Sequence, residues 1–325
     1  MERTMTEIAK KQTEIQMNAR AKKSQKVQSE KLSGKIKPWL FLLPTIVLIV
    51  FWMIKPLIQT LMYTLYDWNM LPGTVPEFVG LSNFSALFQA PEFASAIANT
   101  FYYILMMLPF SVIMPMLIAA LIQNLKPRTQ RIYRVLIFLP LIMPPVATST
   151  VFQWLLHQTN GLINHVLISM GFIDNGLNFF MTEGLARLMI ALISGWKMIG
   201  FSALMFSAAI GNISPEYYEA ARMDGSGGFR RFIDITVPLL SPTMMLMIMM
   251  SILFASQWTF TYIDVLTQGG PYGTTTNIYY LIYKYAFGNS NVGVSAAASL
   301  VFLVIFGIIA LLLQKISKRL AFYDN

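Results

Sequence analysis

Residues 213–239 read ISPEYYEAARMDGSGGFRRFIDITVPL, a polar, glycine-bearing run between two of the most apolar stretches in the chain. Its first residues carry helix-start chemistry. Ser214 is a good N-cap, Pro215 suits the first helical position, and Glu216 puts an acid in the first turn, where the helix dipole favours it. A short helix from Pro215 to about Met223 follows. Asp224-Gly225 ends it, because glycine enters the left-handed conformation without a side-chain clash. Ala220 and Ala221 keep one surface of this helix small, which lets another backbone approach closely. After Gly227 and Gly228 a second helix is expected, with Phe229, Phe232, Ile233 and Thr236 on one face and Arg230, Arg231 and Asp234 on the other. Two readings of this unit stand side by side: an amphipathic connector between apolar helices, and a docking knob for a soluble partner.

The surrounding sequence identifies the medium. Of the 325 residues, 55% are hydrophobic and 12% charged, about half the charged share of a soluble domain. A hydrocarbon core about 30 Å thick needs roughly 20 apolar residues per helix. Six stretches meet that length, approximately Trp39 to Leu65, Ala96 to Leu121, Ile132 to Leu156, Leu185 to Ile210, Val237 to Ile263 and Gly293 to Leu313. The expected fold class is therefore all-α and integral to the membrane, with six transmembrane helices. Pro44, Pro56, Pro109, Pro115, Pro140, Pro144 and Pro145 fall inside these stretches and are expected to kink the helices, not to end them. No cleavable signal peptide is expected, since the first long apolar run begins only near Trp39.

Basic residues orient the helices. Ten Lys and Arg lie between Arg3 and Lys37, and Lys126, Arg128, Arg131, Arg134, Arg222, Arg230, Arg231, Lys315, Lys318 and Arg319 follow helices two, four and six. Alternation puts all of these on one side, so both termini are expected in the cytoplasm of a multi-pass protein of the cell membrane. Residues 1–37 form a basic tail, expected to be disordered because it lacks the apolar residues for a core and to lie near anionic lipid. Residues 38–325 form the transmembrane domain, with segment 214–236 on the cytoplasmic side. The net charge of +9 resides in a tail and helix flanks and not on a folded face, so nucleic acid is not an expected partner. Cysteine is absent and only His157 and His165 are present, so no metal site is expected.

Few residues offer chemistry within the spans. A charge inside a membrane helix is a functional candidate by default, which singles out Lys197, while Lys55 near a helix end is expected to snorkel to the headgroups. Gln257, Trp258 and Tyr262 suit a path for a polyhydroxylated solute, since aromatic faces and amides match sugar rings. An interfacial aromatic belt accounts for the Trp and Tyr nearly as well. The run Met244–Met250 reads as adaptable packing, and Gly269-Gly270-Pro271 as a flexible external turn. No phosphate loop of the Gly-x4-Gly-Lys-[Ser/Thr] type occurs, so the chain is not expected to bind ATP.

The order Glu219-Ala220-Ala221, three residues, Gly225, nine residues, Ile235, one residue, Val237-Pro238 resembles the signature of permease subunits in binding-protein-dependent ABC importers. Val237 departs from the Leu usual before the proline. Trp196-Lys197, the stretch from Asp264 to Pro271 with Thr274 to Thr276, and Ser295 to Ala298 resemble the carbohydrate permeases of the maltose and glycerol-3-phosphate type. The resemblance implies a type I importer permease fold. It implies that Glu219, Ala220, Ala221, Asp224 and Gly225 couple to a separate ATPase subunit that binds ATP and Mg, with no cofactor in this chain and no enzyme activity of its own. The Gly-Gly-Pro loop is typical of one half of a heterodimeric pair, which implies a second, nonidentical permease subunit. An extracytoplasmic binding protein would deliver a sugar, an oligosaccharide or glycerol-3-phosphate. Alternatives are an ion-coupled secondary transporter, which would transport unaided, and an intramembrane transferase, which would need a convergent acid, base or metal constellation.

Overall fold

A computed structural model describes residues 39–320. The basic tail 1–37 lies outside the described residues. The described residues divide into two units, with the boundary between Met62 and Tyr63.

Helix α1, Trp39–Tyr63, supplies, up to Met62, the described part of the first unit. It runs through Pro44 without interruption and widens into a π turn at Val50–Ile54, ahead of Pro56. Lys55 Nζ lies 4.9 Å from the centroid of the Phe51 ring one turn back, a cation–π contact that shelters the charge within its own helix.

The second unit opens with two short antiparallel strands, β1 (Tyr66–Asp67) and β2 (Glu77–Phe78), that pair Tyr66 with Phe78 and Asp67 with Glu77. Helix α2 is Ser82–Gln89, and α3 is the long span Pro91–Gln123. Then come α4 (Pro127–Ile142), α5 (Pro145–Leu155), α6 (Leu162–Ser169) and the span α7 (Glu183–Gly211). The polar run forms α8 (Pro215–Met223) and α9 (228–239). The span α10 (Ser241–Leu266), the short α11 (Ile278–Tyr283) and the span α12 (Val292–Leu320) complete the unit.

Prolines shape these helices in two ways. At Pro56, Pro115 and Pro238 the helix continues, and the residue just before the proline reaches five residues back. Lys55 N–H bonds the Val50 carbonyl, Met114 N–H the Pro109 carbonyl, and Val237 N–H the Phe232 carbonyl. The proline ring crowds the carbonyl four residues earlier, and a π turn widens the backbone there. At Pro144-Pro145 the expected kink is a full break. Met143 and Pro144 each precede a proline, which disfavours the helical conformation, and both are extended with ψ near 130°. The two halves, α4 and α5, meet at 93°. Among the described residues, five helices are long and apolar enough to cross a membrane, or six if the bent pair forms one span.

Packing joins α3, α7 and α10. One core cluster holds Tyr103 and Met107 of α3, Ile190 and Met198 of α7, and Tyr262 and Ile263 of α10. Another holds Met116, Phe206, Leu240 and Met247. Met107, Met198 and Met247 are fully buried, flexible side chains filling irregular space. Small residues let the helices approach. A Cβ at Gly200 of α7 would sit 2.5 Å from the Ile137 carbonyl oxygen of α4, and one at Gly195 would sit 2.6 Å from the Phe110 ring. Close backbone approach of this kind drives association where lipid removes the hydrophobic contrast.

Segment 267–277 is not the flexible turn expected. Gln268 and the tip are exposed, Tyr272 at 93%, while Thr275, Thr276 and Asn277 are buried. Asn99 Nδ2 donates to the Thr276 carbonyl (2.9 Å), Tyr103 OH to the Thr275 carbonyl (2.9 Å), and Ile278 N–H to Thr100 Oγ1 (3.0 Å). Asn277 Nδ2 donates to the Ser256 carbonyl and to Thr259 Oγ1, each at 2.7 Å. Irregular backbone beside membrane helices must find partners inside the protein, and α3 and α10 supply them.

Candidate functional site

Helix α8 begins and ends as its residues dictate. Ser214 Oγ accepts from Glu216 N–H at 3.4 Å, and Pro215 occupies the first turn. At the other end Ser226 N–H bonds the Ala221 carbonyl (2.9 Å), Gly225 N–H bonds the Arg222 carbonyl (3.0 Å), and Gly225 has φ +74°. This is a left-handed glycine stop that satisfies carbonyls at the helix end.

One side-chain tie joins α8 to α9 and another joins α9 to the turn that follows α8. The Tyr218 hydroxyl lies 3.0 Å from Thr236 Oγ1, and Arg231 Nη1 donates to the Ser226 carbonyl at 2.9 Å. The Arg230–Asp234 pair at 3.2 Å is mostly exposed and contributes little.

Helical spacing divides α8 into two faces. Pro215, Tyr218, Glu219 and Arg222 line a cleft of 680 Å³, closed on its other sides by the ends of α3 and α7 and by α9. Tyr217, Ala220 and Asp224 fall on the opposite face. Of the residues singled out by sequence, Ala220, Asp224 and Gly225 are exposed away from the cleft, Ala221 is half-buried at the edge, and Glu219 turns to the cleft. Sequence reasoning passed over Met223, 89% exposed at the end of α8. Its signal was a large apolar side chain in an otherwise polar turn.

The four residues considered for a solute path do not converge. Lys197 is 7% exposed, and its Nζ donates to the Met143 carbonyl at 2.7 Å. That carbonyl belongs to the break between α4 and α5 and has lost its helical partner, so the ammonium caps a broken helix. Trp258 stacks on Phe254 at 4.4 Å and 18°, within the core cluster that also holds Tyr262. The Tyr262 hydroxyl is buried near Thr148 of α5 with no partner at hydrogen-bond geometry. Gln257 is exposed, on the stripe of α10 that carries Leu246 and Leu253. Among the described residues, no three His, Asp or Glu side chains come together as a metal site.

A further polar cluster was not foreseen. Arg187 Nη1 donates to Asn99 Oδ1 (3.1 Å), and its guanidinium lies 4.2 Å over the Tyr102 ring. Holding that oxygen orients the Asn99 amide so that its nitrogen faces the buried carbonyl of Thr276.

Known proteins bear directly on this architecture. Residues 117–322 match the family described as binding-protein-dependent transport system inner membrane component. The sn-glycerol-3-phosphate transport system permease protein UgpA of Pectobacterium atrosepticum is 31% identical over 268 residues, 82% of this chain and 89% of that protein. UgpA of Yersinia pestis is 30% identical over 286 residues, 88% of this chain and 95% of the relative. The crystal structure of a bacterial ABC transporter involved in the import of the acidic polysaccharide alginate contains a chain with TM-score 0.79 and 26% identity. The match covers 90% of this chain and all of that one. The bacterial alginate ABC transporter in complex with alginate pentasaccharide-bound periplasmic protein matches with the same TM-score, 26% identity and coverage of 90% and 98%. The chain therefore belongs to the family of binding-protein-dependent transport system inner membrane components and is a permease subunit of an ABC importer.

Proposed function

We propose that this permease moves a carbohydrate or a glycerol phosphate through six membrane passages, with both termini in the cytoplasm. A binding protein on the outer side delivers the solute, a second homologous permease completes the channel, and separate ATPase subunits bind ATP and Mg. The outward face of α8, with Ala220, Asp224 and Gly225 flanked by Ala221 and Met223, seats in the ATPase. Glu219, exposed and lining the cleft, completes the coupling segment. Support comes above all from one observation: a capped helix with small exposed residues is tied to its neighbour by Tyr218 and Arg231 while offering a bare face to a partner.

Gln257 is the residue best suited to meet solute or the second permease, because it is polar on an otherwise apolar exposed stripe. Lys197, Trp258 and Tyr262 serve packing and the helix break in this conformation. The solute class draws on the relatives, which carry sn-glycerol-3-phosphate and alginate in their names.

Cross-linking tests the joint. A cysteine replacing Ala220 is expected to form a disulfide with a cysteine in the ATPase cleft of the assembled transporter, and no proximity in an active complex defeats the proposal. Stimulation of ATPase activity by the loaded binding protein, across a panel of sugars and polyol phosphates, assigns the solute.

A further inference from the structure

The cleft behind α8 is built from two unlike halves. Leu117, Ala120 and Leu121 of α3 and Ile210 of α7 form an apolar wall at the ends of membrane spans. Leu117 and Leu121, one turn apart, are 44% and 69% exposed. Arg222 of α8 and Arg231 of α9 line the polar half together with Glu219, Gln123 and Asn124. Arg231 spends one amine on the Ser226 carbonyl and keeps other donors of its five. Phe229, 80% exposed, sits at the rim beside Arg230, the pairing of aromatic and cation that favours a membrane interface.

We propose that this cleft binds an anionic glycerophospholipid, its phosphate on Arg222 and Arg231 and its first acyl carbons along Leu117 and Leu121. Two arginines against one carboxylate leave the lining with a net positive charge, which selects an anionic headgroup over a zwitterionic one. Glu219 accepts hydrogen bonds from headgroup hydroxyls, so phosphatidylglycerol has the matching chemistry. The apolar wall continues the exposed side of a membrane span, a route along which acyl chains reach the site without leaving hydrocarbon. The lipid occupies the inward face of α8 and leaves the face with Ala220 and Asp224 uncovered, so lipid and a soluble partner hold one helix from opposite sides. This goes beyond the proposed function and does not depend on the identity of the solute.

Native mass spectrometry of the assembled transporter tests it, after release from nanodiscs holding phosphatidylcholine, phosphatidylethanolamine and phosphatidylglycerol in equal parts. Wild type is expected to retain phosphatidylglycerol in preference. Arg222→Gln is expected to lower that retention about fivefold, the effect of one interfacial cation, and Arg222→Lys to restore most of it. Leu121→Trp, which fills the apolar end and keeps both arginines, is expected to lower retention as well. Asp234→Asn, outside the cleft, should match wild type. Equal retention of all three lipids overturns the proposal, as does wild-type retention in both Arg222→Gln and Leu121→Trp. Loss of bound lipid on adding millimolar inorganic phosphate, with Leu121→Trp unaffected, identifies a free-anion site and also overturns it.

Discussion

Gly225 gives the sharpest test of the local reasoning. It ends α8 at φ +74°, and a Cβ built there meets no atom within 4 Å. Any penalty for a side chain is therefore conformational and not steric. The left-handed region costs an L-residue about 1–2 kcal/mol. Alanine also narrows the unfolded ensemble, which offsets part of this, so Gly225→Ala should destabilise the helix stop by about 1 kcal/mol, roughly fivefold in the ratio of capped to frayed ends. Asparagine tolerates this region better and should lose less. Hydrogen exchange reads the effect directly, because the Gly225 and Ser226 amides bond the Arg222 and Ala221 carbonyls in the stop. Exchange at both should quicken about fivefold in Gly225→Ala and less in Gly225→Asn, with membrane insertion unchanged. A steric origin reverses that order, since asparagine is larger. Faster exchange in Gly225→Asn than in Gly225→Ala refutes the reasoning, and so does full protection in both.

Three further expectations rest on single contacts. Lys197→Met removes the hydrogen bond that the ammonium donates to the Met143 carbonyl at the helix break, a charged bond of about 1.5–3 kcal/mol; the melting temperature of the purified complex should fall, and a rise would mean that ammonium desolvation outweighs the cap. Arg187→Ala frees the Asn99 amide to turn, so hydrogen exchange across 273–278 should accelerate while that of α8 stays unchanged. Tyr218→Phe deletes the hydroxyl tie to Thr236 and should lower transport with insertion retained, whereas Asp234→Asn breaks only an exposed pair worth at most about 0.5 kcal/mol and should leave transport near wild type.

Much of this fold is legible in the sequence because membrane helices and helix ends obey local rules. Apolar length located five of the six expected spans, although Pro91–Gln123 and Glu183–Gly211 extend beyond the apolar cores read for them, and the expected span from Ile132 to Leu156 is a pair of helices bent at 93°. Ser214, Pro215 and Gly225 marked the ends of α8 because capping uses residues adjacent in sequence. What stayed hidden depends on contacts across the chain. The carbonyl that Lys197 meets is 54 residues away, and Asn99 grips a loop 177 residues distant. Proline posed an intermediate case. A lone proline such as Pro115 or Pro238 is absorbed by a π turn, whereas the doublet Pro144-Pro145 makes two successive residues precede a proline, and the helix cannot continue. The doublet was visible; its 93° consequence required geometry.

Helix α7 carries both features that the sequence read separately. Its middle holds the break through Lys197, and its end leads into α8 through residues 212–214, which are themselves hydrogen-bonded, Asn212 to Ala209 and Ile213 to Ile210. So tight a link offers little slack to absorb a displacement of α8. Lys197 and Gly211 are 14 residues apart, about 21 Å along one continuous helix, so a shift at the end that leads into α8 arrives at the break as movement of the whole rod. Near Lys197 that rod presses on its neighbours through Gly195 and Gly200, where even a Cβ would collide with Phe110 or with the Ile137 backbone. Contacts this close resist compression, and a rod that cannot compress into α4 must carry α4 with it or slide along it. The ammonium of Lys197, on a long side chain bound to the Met143 carbonyl, has the reach to hold the elbow through either movement.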